Sequence, residues 1–214
     1  MRILILGATG QVGKCALARA LTDTRIKQVI APSRRSLAAH PKLINPVAQD
    51  LGSLLLDADD WPVDAVICAI GTTIGKAGSK EAFRYVDYEL PLAFATRAAR
   101  QGANALALVS SPGASLTVPL FYNRTKGELE RDMQGMGLTS LTIVRPGMIG
   151  GHREEFRLLE RLVLPAAAAL RPILPKGLWI NPPEHIAGIL VDAVIAQRPG
   201  LHRVASRDIV EYRG

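Results

Sequence analysis

Tyr122 and Lys126 stand four residues apart in Tyr122-Asn123-Arg124-Thr125-Lys126, the one Tyr-x-x-x-Lys spacing in the chain. On a helix, side chains at this spacing share a face. An ammonium beside a phenol favours the phenolate and lowers the phenol's pKa. Tyr122 could then give a proton to a carbonyl or take one from an alcohol, and Lys126 could also hold a ribose. Ser110-Ser111 closes an apolar run that reads as a strand. Its hydroxyls belong at the carboxyl edge of a sheet, where Ser111 could polarise a carbonyl.

Such chemistry needs a hydride carrier, and the first residues supply a place for one. Gly7-Ala8-Thr9-Gly10-Gln11-Val12-Gly13 follows a strand and opens a helix. Gly7 permits the tight turn, Gly10 lets the backbone approach a pyrophosphate, and Gly13 lets helix and strand pack closely. The helix start offers unpaired N–H groups to the anion, and Thr9, Gln11 and Val12 belong to the same turn. Where an acid would accept the ribose hydroxyls of NAD, after the second strand, the chain reads Ala31-Pro32-Ser33-Arg34-Arg35. Guanidinium groups suit a 2'-phosphate, so Ser33, Arg34 and Arg35 indicate NADP(H). Asp50-Leu51 is placed to accept from the adenine amino group and cover its face. Ala69, Ile70, Gly71 and Thr72, with Thr73, leave room for the cofactor to cross the sheet edge. Gly71 to Ala77 resembles an ATP-binding P-loop but has three intervening residues instead of four and lacks the Ser/Thr that would hold magnesium. Gly75 to Gly78 reads as a flexible loop.

The elements that must position these residues follow from hydrophobic patterning. Arg2-Leu6, Gln28-Ala31, Ile44-Ala48, Ala65-Ala69, Ala105-Val109 and Leu141-Val144 read as buried strands. Gln11-Thr22, Ser79-Gln101 and Tyr122-Met136 read as helices between them. This alternation predicts an α/β fold of Rossmann type: a doubly wound parallel sheet with helices on both faces. A single domain is expected over residues 1–214, with residues 148–200 contributing a small, helical, substrate-side cap broken by Pro165, Pro172, Pro175 and Pro182-Pro183. Pro183 opens a helix over Glu184-Gln197, and Leu201-Ala205 returns as a last strand. Trp179 would anchor the cap, while Arg153 and Arg157 could meet an anionic substrate group.

The formal charge of +7 comes with only 5% aromatic residues and scattered Lys and Arg. Nucleic-acid binding needs basic residues clustered with stacking aromatics, so no nucleic-acid partner is expected. Cys15 and Cys68 are too few for a disulfide framework or a four-ligand zinc site, and His152 and His185 have no paired carboxylate. No metal is expected. No apolar stretch has transmembrane length, so the expectation is no membrane partner and, by default, a cytoplasmic location.

Taken together, Gly7 to Gly13, Arg34-Arg35, Gly71-Thr72-Thr73 with Gly75-Lys76-Ala77-Gly78, Ser110-Ser111, Tyr122 to Lys126 with Gly127-Glu128, and Arg145-Pro146-Gly147 resemble the motifs of the atypical, extended-like short-chain dehydrogenase/reductases. The chain is most similar to the Tat-interacting oxidoreductase family within them. That resemblance implies NADPH on a Rossmann sheet, Tyr122 as acid/base, Lys126 on the ribose, Ser111 orienting substrate, and Pro146, Gly147 and Met148 near the nicotinamide. His152 stands where an acid is expected in the family pattern. The resulting expectation is an NADP-dependent oxidoreductase acting on a small carbonyl or alcohol. An NADP-binding regulatory or scaffold protein with little turnover is the alternative, with a homodimer or a regulatory protein partner compatible with either.

Overall fold

A computed structural model describes residues 1–55, 61–150 and 180–213. Its described strands form one seven-stranded sheet, every pair parallel, in the order β3-β2-β1-β4-β5-β6-β9. These strands are β1 (Arg2–Leu6), β2 (Gln28–Ile30), β3 (Leu43–Ile44), β4 (Ala65–Cys68), β5 (Ala105–Val109), β6 (Ser140–Arg145) and β9 (Gly200–Ala205). A separate pair, β7 (Met148–Ile149) and β8 (Ile180–Asn181), lies beyond β6. The expected doubly wound Rossmann architecture is therefore present.

The two faces are sorted by the period of the strands. Ile3 and Ile5 of β1 join Ala16 and Ala20 of α1 (Gln11–Thr22) and Ile186, Leu190 and Val194 of α6 (Pro183–Ala196) in one core. Leu4 and Leu6 join Phe94 of α4 (Leu90–Arg100) with Leu129 and Met133 of α5 (Phe121–Gln134) in the other. Successive side chains point to opposite faces, so an unbroken apolar run is what a strand covered on both sides requires. Each such fully buried Ile or Leu stabilises the fold by about 1.5–3 kcal/mol.

Several local expectations change. The predicted strand Ile44-Ala48 is reduced to Leu43–Ile44 and an isolated bridge between Ser33 and Val47, because Pro46 has no N–H for a ladder. The predicted helix Ser79-Gln101 is three pieces: α3 (Lys80–Arg84), a π-helical turn (Tyr85–Glu89) and α4. Pro91 cannot donate to the carbonyl four residues back, and Leu90 N–H bonds the Tyr85 carbonyl five residues back. Gly75 to Gly78 is no loose loop, since Ile74–Ala77 forms a helical turn, α2, whose N–H at Lys76 is capped by Thr73.

Of the cap expected over 148–200, residues 151–179 lie outside the described residues, and with them His152, Arg153, Arg157 and Trp179. The described helix within that range, α6, packs on α1 and the sheet as a core layer rather than as a cap. A final helical turn, α7 (Ser206–Val210), follows β9.

Candidate functional site

Strand order reverses at the paired strands β1 and β4, so the connections that leave their carboxyl ends run to opposite sides and leave a crevice, the usual ligand position in open parallel sheets. A cleft of about 470 Å³ lies there. Thr9, Gly10, Gln11 and Val12 line it on one side, Ala69, Ile70, Gly71 and Thr72 at its floor, and Tyr122 and Lys126 on the other. Thr73, Lys76, Val109 and Ile149 complete the lining with Asp87 and Ser110. The glycine turn and the tyrosine helix thus meet in one cavity.

The turn is held by its lack of side chains. Gly7 sits at φ +85°, and a Cβ on Gly13 would fall 1.9 Å from the Gly7 carbonyl oxygen. No side chain caps the start of α1, which leaves its first N–H groups for an anion. Gln11 Oε1 is buried at the cleft without a hydrogen-bond partner. An open helix start beside an unpaired buried amide fits a dinucleotide.

The expected 2'-phosphate and adenine positions lie outside that lining. Arg34 and Arg35 are exposed beyond β2, with no ion pair among the described residues. Ser33 is buried: its hydroxyl donates to the Arg35 carbonyl at 2.6 Å and accepts from Asn45 Nδ2 at 2.8 Å, so it shapes the arginine turn. Asp50 is exposed and accepts from the Tyr85 hydroxyl at 2.5 Å and from Gly52 N–H at 3.1 Å. That hydrogen bond to Asp50 pushes the Tyr85 phenol up to about 12, and the Asp50 carboxyl is lowered. Leu51 is buried in the core on the α4 face.

At the reactive end, Phe83 packs its ring 5.4 Å from that of Tyr122 and is fully buried. Lys126 forms a buried ion pair with Asp87 at 2.7 Å. The other carboxylate oxygen of Asp87 accepts the Thr72 N–H, also at 2.7 Å. Burial opposes the charge on Lys126, but Asp87 and Tyr122 beside it raise its pKa above the ordinary lysine value. Burial raises the Asp87 carboxyl, against the pull of Lys126 and the Thr72 N–H. Because Asp87 belongs to the π-helical turn, the irregularity in that segment serves the site, as such turns often do.

The two serines are separated by their partners. Ser110 lines the cleft, and its hydroxyl donates to Glu130 Oε1 at 2.5 Å. Arg145 also grips Glu130, through Nε at 2.9 Å and a second close contact from its terminal nitrogen. Ser111 is buried with no partner for its hydroxyl, and it is not among the residues lining the cleft. Of the residues after β6, Pro146 is buried, Gly147 N–H donates to Asn181 Oδ1 at 2.7 Å, and Met148 is exposed. Ile149 reaches the cleft instead.

A family model described as HIM1 matches residues 54–168. Among curated proteins, "Protein FMP52, mitochondrial" of Candida albicans is 34% identical over 160 residues, covering 72% of this chain and 70% of that protein. The fmp52 protein of Aspergillus fumigatus is 32% identical over 230 residues, covering 99% of this chain and 98% of that one. The chain belongs to the HIM1 family, with the FMP52 proteins. Solved structures extend the likeness of fold. A short chain dehydrogenase family protein from Francisella tularensis has a TM-score of 0.67 at 16% identity, with 98% of each chain covered. MoeE5, solved with UDP-glucuronic acid and NAD, has a TM-score of 0.73 at 18% identity, covering 99% of this chain and 80% of that one.

Two expectations are corrected by these matches. They name HIM1 and FMP52 as the family, in place of the Tat-interacting oxidoreductases. The relatives are also named mitochondrial, which overturns the cytoplasmic location. That expectation was a default drawn from missing apolar spans, a feature that carries no information about organelles. Among the described residues no helix is long and apolar enough to cross a membrane, and no cluster of His, Cys, Asp or Glu could hold a metal ion.

Sequence reasoning missed Asp87 in this HIM1-family cleft and Glu130 behind its Ser110, and gave Arg145 no role. A signal existed for Glu130: Tyr122, Lys126 and Glu130 repeat at four-residue spacing along one face of α5. Asp87 had none, since its partners Lys126 and Thr72 reach it only through the fold.

Proposed function

We propose that the chain is an NADP(H)-dependent oxidoreductase of the short-chain dehydrogenase/reductase type, acting on a small carbonyl or alcohol. The observation that carries this reading is the shared cleft, lined by Gly10 and Gln11 from the glycine turn and by Tyr122 and Lys126 from α5. Fold neighbours solved with NAD support a nicotinamide dinucleotide, and the exposed Arg34 and Arg35 favour the 2'-phosphate form.

In this reading the start of α1 binds the pyrophosphate, and Lys126 donates to the nicotinamide ribose while facing Tyr122. A bound nicotinamide supplies or accepts the hydride at the substrate carbon. Tyr122 gives its phenolic proton to the carbonyl oxygen in reduction, or takes it back in oxidation. Of the two serines, Ser110 lines the cleft and faces the substrate, with its hydroxyl hydrogen-bonded to Glu130, while Ser111 is buried outside that lining. Phe83 holds the phenol ring in place and excludes water behind it.

The test is NADPH consumption by the purified chain over a panel of aldehydes, ketones and quinones. Tyr122→Phe should lower turnover by about 10²–10⁴-fold while leaving NADPH binding intact; an unchanged rate would remove Tyr122 from the chemistry. Replacing Arg34 and Arg35 with Ala should weaken NADPH by roughly tenfold or more, as expected for lost charge-assisted hydrogen bonds. NADH binding should barely change, and equal losses for the two nucleotides would refute the phosphate assignment.

A further inference from the structure

We propose that Asp87 is a positioning residue that keeps Lys126 in its ammonium form and holds it within reach of Tyr122. Lys126 is almost wholly buried, with a side chain 5% exposed, and Asp87 is at 1%. A lone ammonium there would shed its proton, because desolvation penalises the charged form of a buried lysine. The carboxylate at 2.7 Å is the compensating charge. Among the described residues, the titratable groups acting on Lys126 are Asp87 from the π-helical turn, Tyr122 from its own helix and Cys68 from β4. Burial pushes the Cys68 thiol up to about 12, so it is neutral in the working range. Asp87 is therefore the counter-charge available when Tyr122 is a neutral phenol.

Position is fixed from the other side. The Thr72 N–H anchors one oxygen of Asp87 at 2.7 Å, which leaves the second oxygen for Lys126. Space around the pair is tight, since a Cβ on Gly71 would lie 3.2 Å from Asp87 Oδ1. The floor of the cleft, the π-helical turn and α5 are thereby tied through one carboxylate. An ammonium bears three N–H donors; one directed at Asp87 leaves two for a ribose and for the phenol side of the cleft.

The decisive measurement is an NMR titration of the chain carrying [13Cε]lysine, without cofactor, with Lys126→Met identifying the Lys126 resonance. In wild type the Lys126 signal should stay in its ammonium position up to about pH 10, the ordinary lysine range. In Asp87→Asn its midpoint should fall by roughly three pH units; a midpoint equal to wild type would overturn the proposal. If Asp87→Asn does not fold, Asp87→Asn/Lys126→Met should recover the wild-type Tm, because the uncompensated charge is gone. A double variant as unstable as the single one would count against it.

The catalytic consequence rests on the function proposed above. With a substrate from the carbonyl panel, kcat/KM of Asp87→Asn should decline as pH rises through the lowered lysine midpoint, where wild type is flat. An unchanged pH profile alongside a lowered midpoint would show that turnover does not need the ammonium. Should wild type titrate as expected yet turn over nothing, the function falls while the role of Asp87 toward Lys126 stands.

Discussion

Between Leu6 and Gln11 the cleft is bounded by consecutive residues that contribute backbone and little else, whereas around Tyr122 and Lys126 it is bounded by charged side chains drawn together from distant segments. Thr72 reaches Asp87 across 15 residues of chain, and Ser110 reaches Glu130 across 20. The glycine turn needs room: a Cβ on Gly13 has no space, and no charge is involved. The α5 side needs partners, since Glu130 is 3% exposed and Lys126 4%. One half of the site should therefore fail by crowding, and the other when a single partner is removed.

Loss of one partner gives the largest expected effect. Glu130→Ala leaves the Ser110 hydroxyl without its acceptor and Arg145 with the Ala114 carbonyl at 3.3 Å in place of its carboxylate, and breaking a buried pair costs about 3–5 kcal/mol. Chemical denaturation should register that loss, and Glu130→Leu/Arg145→Met should recover most of it. A double variant no better than the single one would mean that shape, rather than charge, governs this side as well.

Crowding ranks next. Gly13→Ala should cost about 1–3 kcal/mol through overpacking against the Gly7 carbonyl, and it should weaken dinucleotide binding by distorting the turn. Equilibrium unfolding and nucleotide titration check the two together. A fully stable Gly13→Ala that still binds NADPH would break the contrast between the two halves.

The smallest effect concerns the tie between Asp50 and Tyr85 at the rim. The Tyr85 phenol is raised by its hydrogen bond to Asp50, so the bond's contribution is present from neutral pH up to about 10 and is lost as pH climbs through about 12; it is also lost in acid, as pH falls through the lowered Asp50 carboxyl. An ultraviolet phenol titration should show two tyrosines near pH 12, Tyr85 and Tyr212, the latter pushed up by burial and its hydrogen bond to Asp192, and only one of the two should remain in Tyr85→Phe. Because the pair is exposed, thermal stability at neutral pH should hardly change.

Much of the fold was legible because buried parallel strands must be continuous apolar runs: β1, α1 and β5 coincide with the expected Arg2-Leu6, Gln11-Thr22 and Ala105-Val109. Errors gathered where a proline interrupts hydrogen bonding, at Pro46 and Pro91. Within the site, residues 7–13 could be read because a helix start and its glycines are neighbours in sequence. Tyr122 and Lys126 could be read because one helical turn joins them. The difference between Ser110 and Ser111 could not, since it depends on Glu130 arriving from α5.

Sequence by itself determined the alternation of strands and helices, the glycine turn and the tyrosine–lysine pair, all consequences of local periodicity and local sterics. Tertiary structure alone decided that these meet in one cleft, that Asp87 pairs with Lys126, and that Glu130 accepts a hydrogen bond from Ser110 but not from Ser111. Burial sets the difference: a charge or hydroxyl taken out of water must find its partner in space, and that partner need not be near it in the chain.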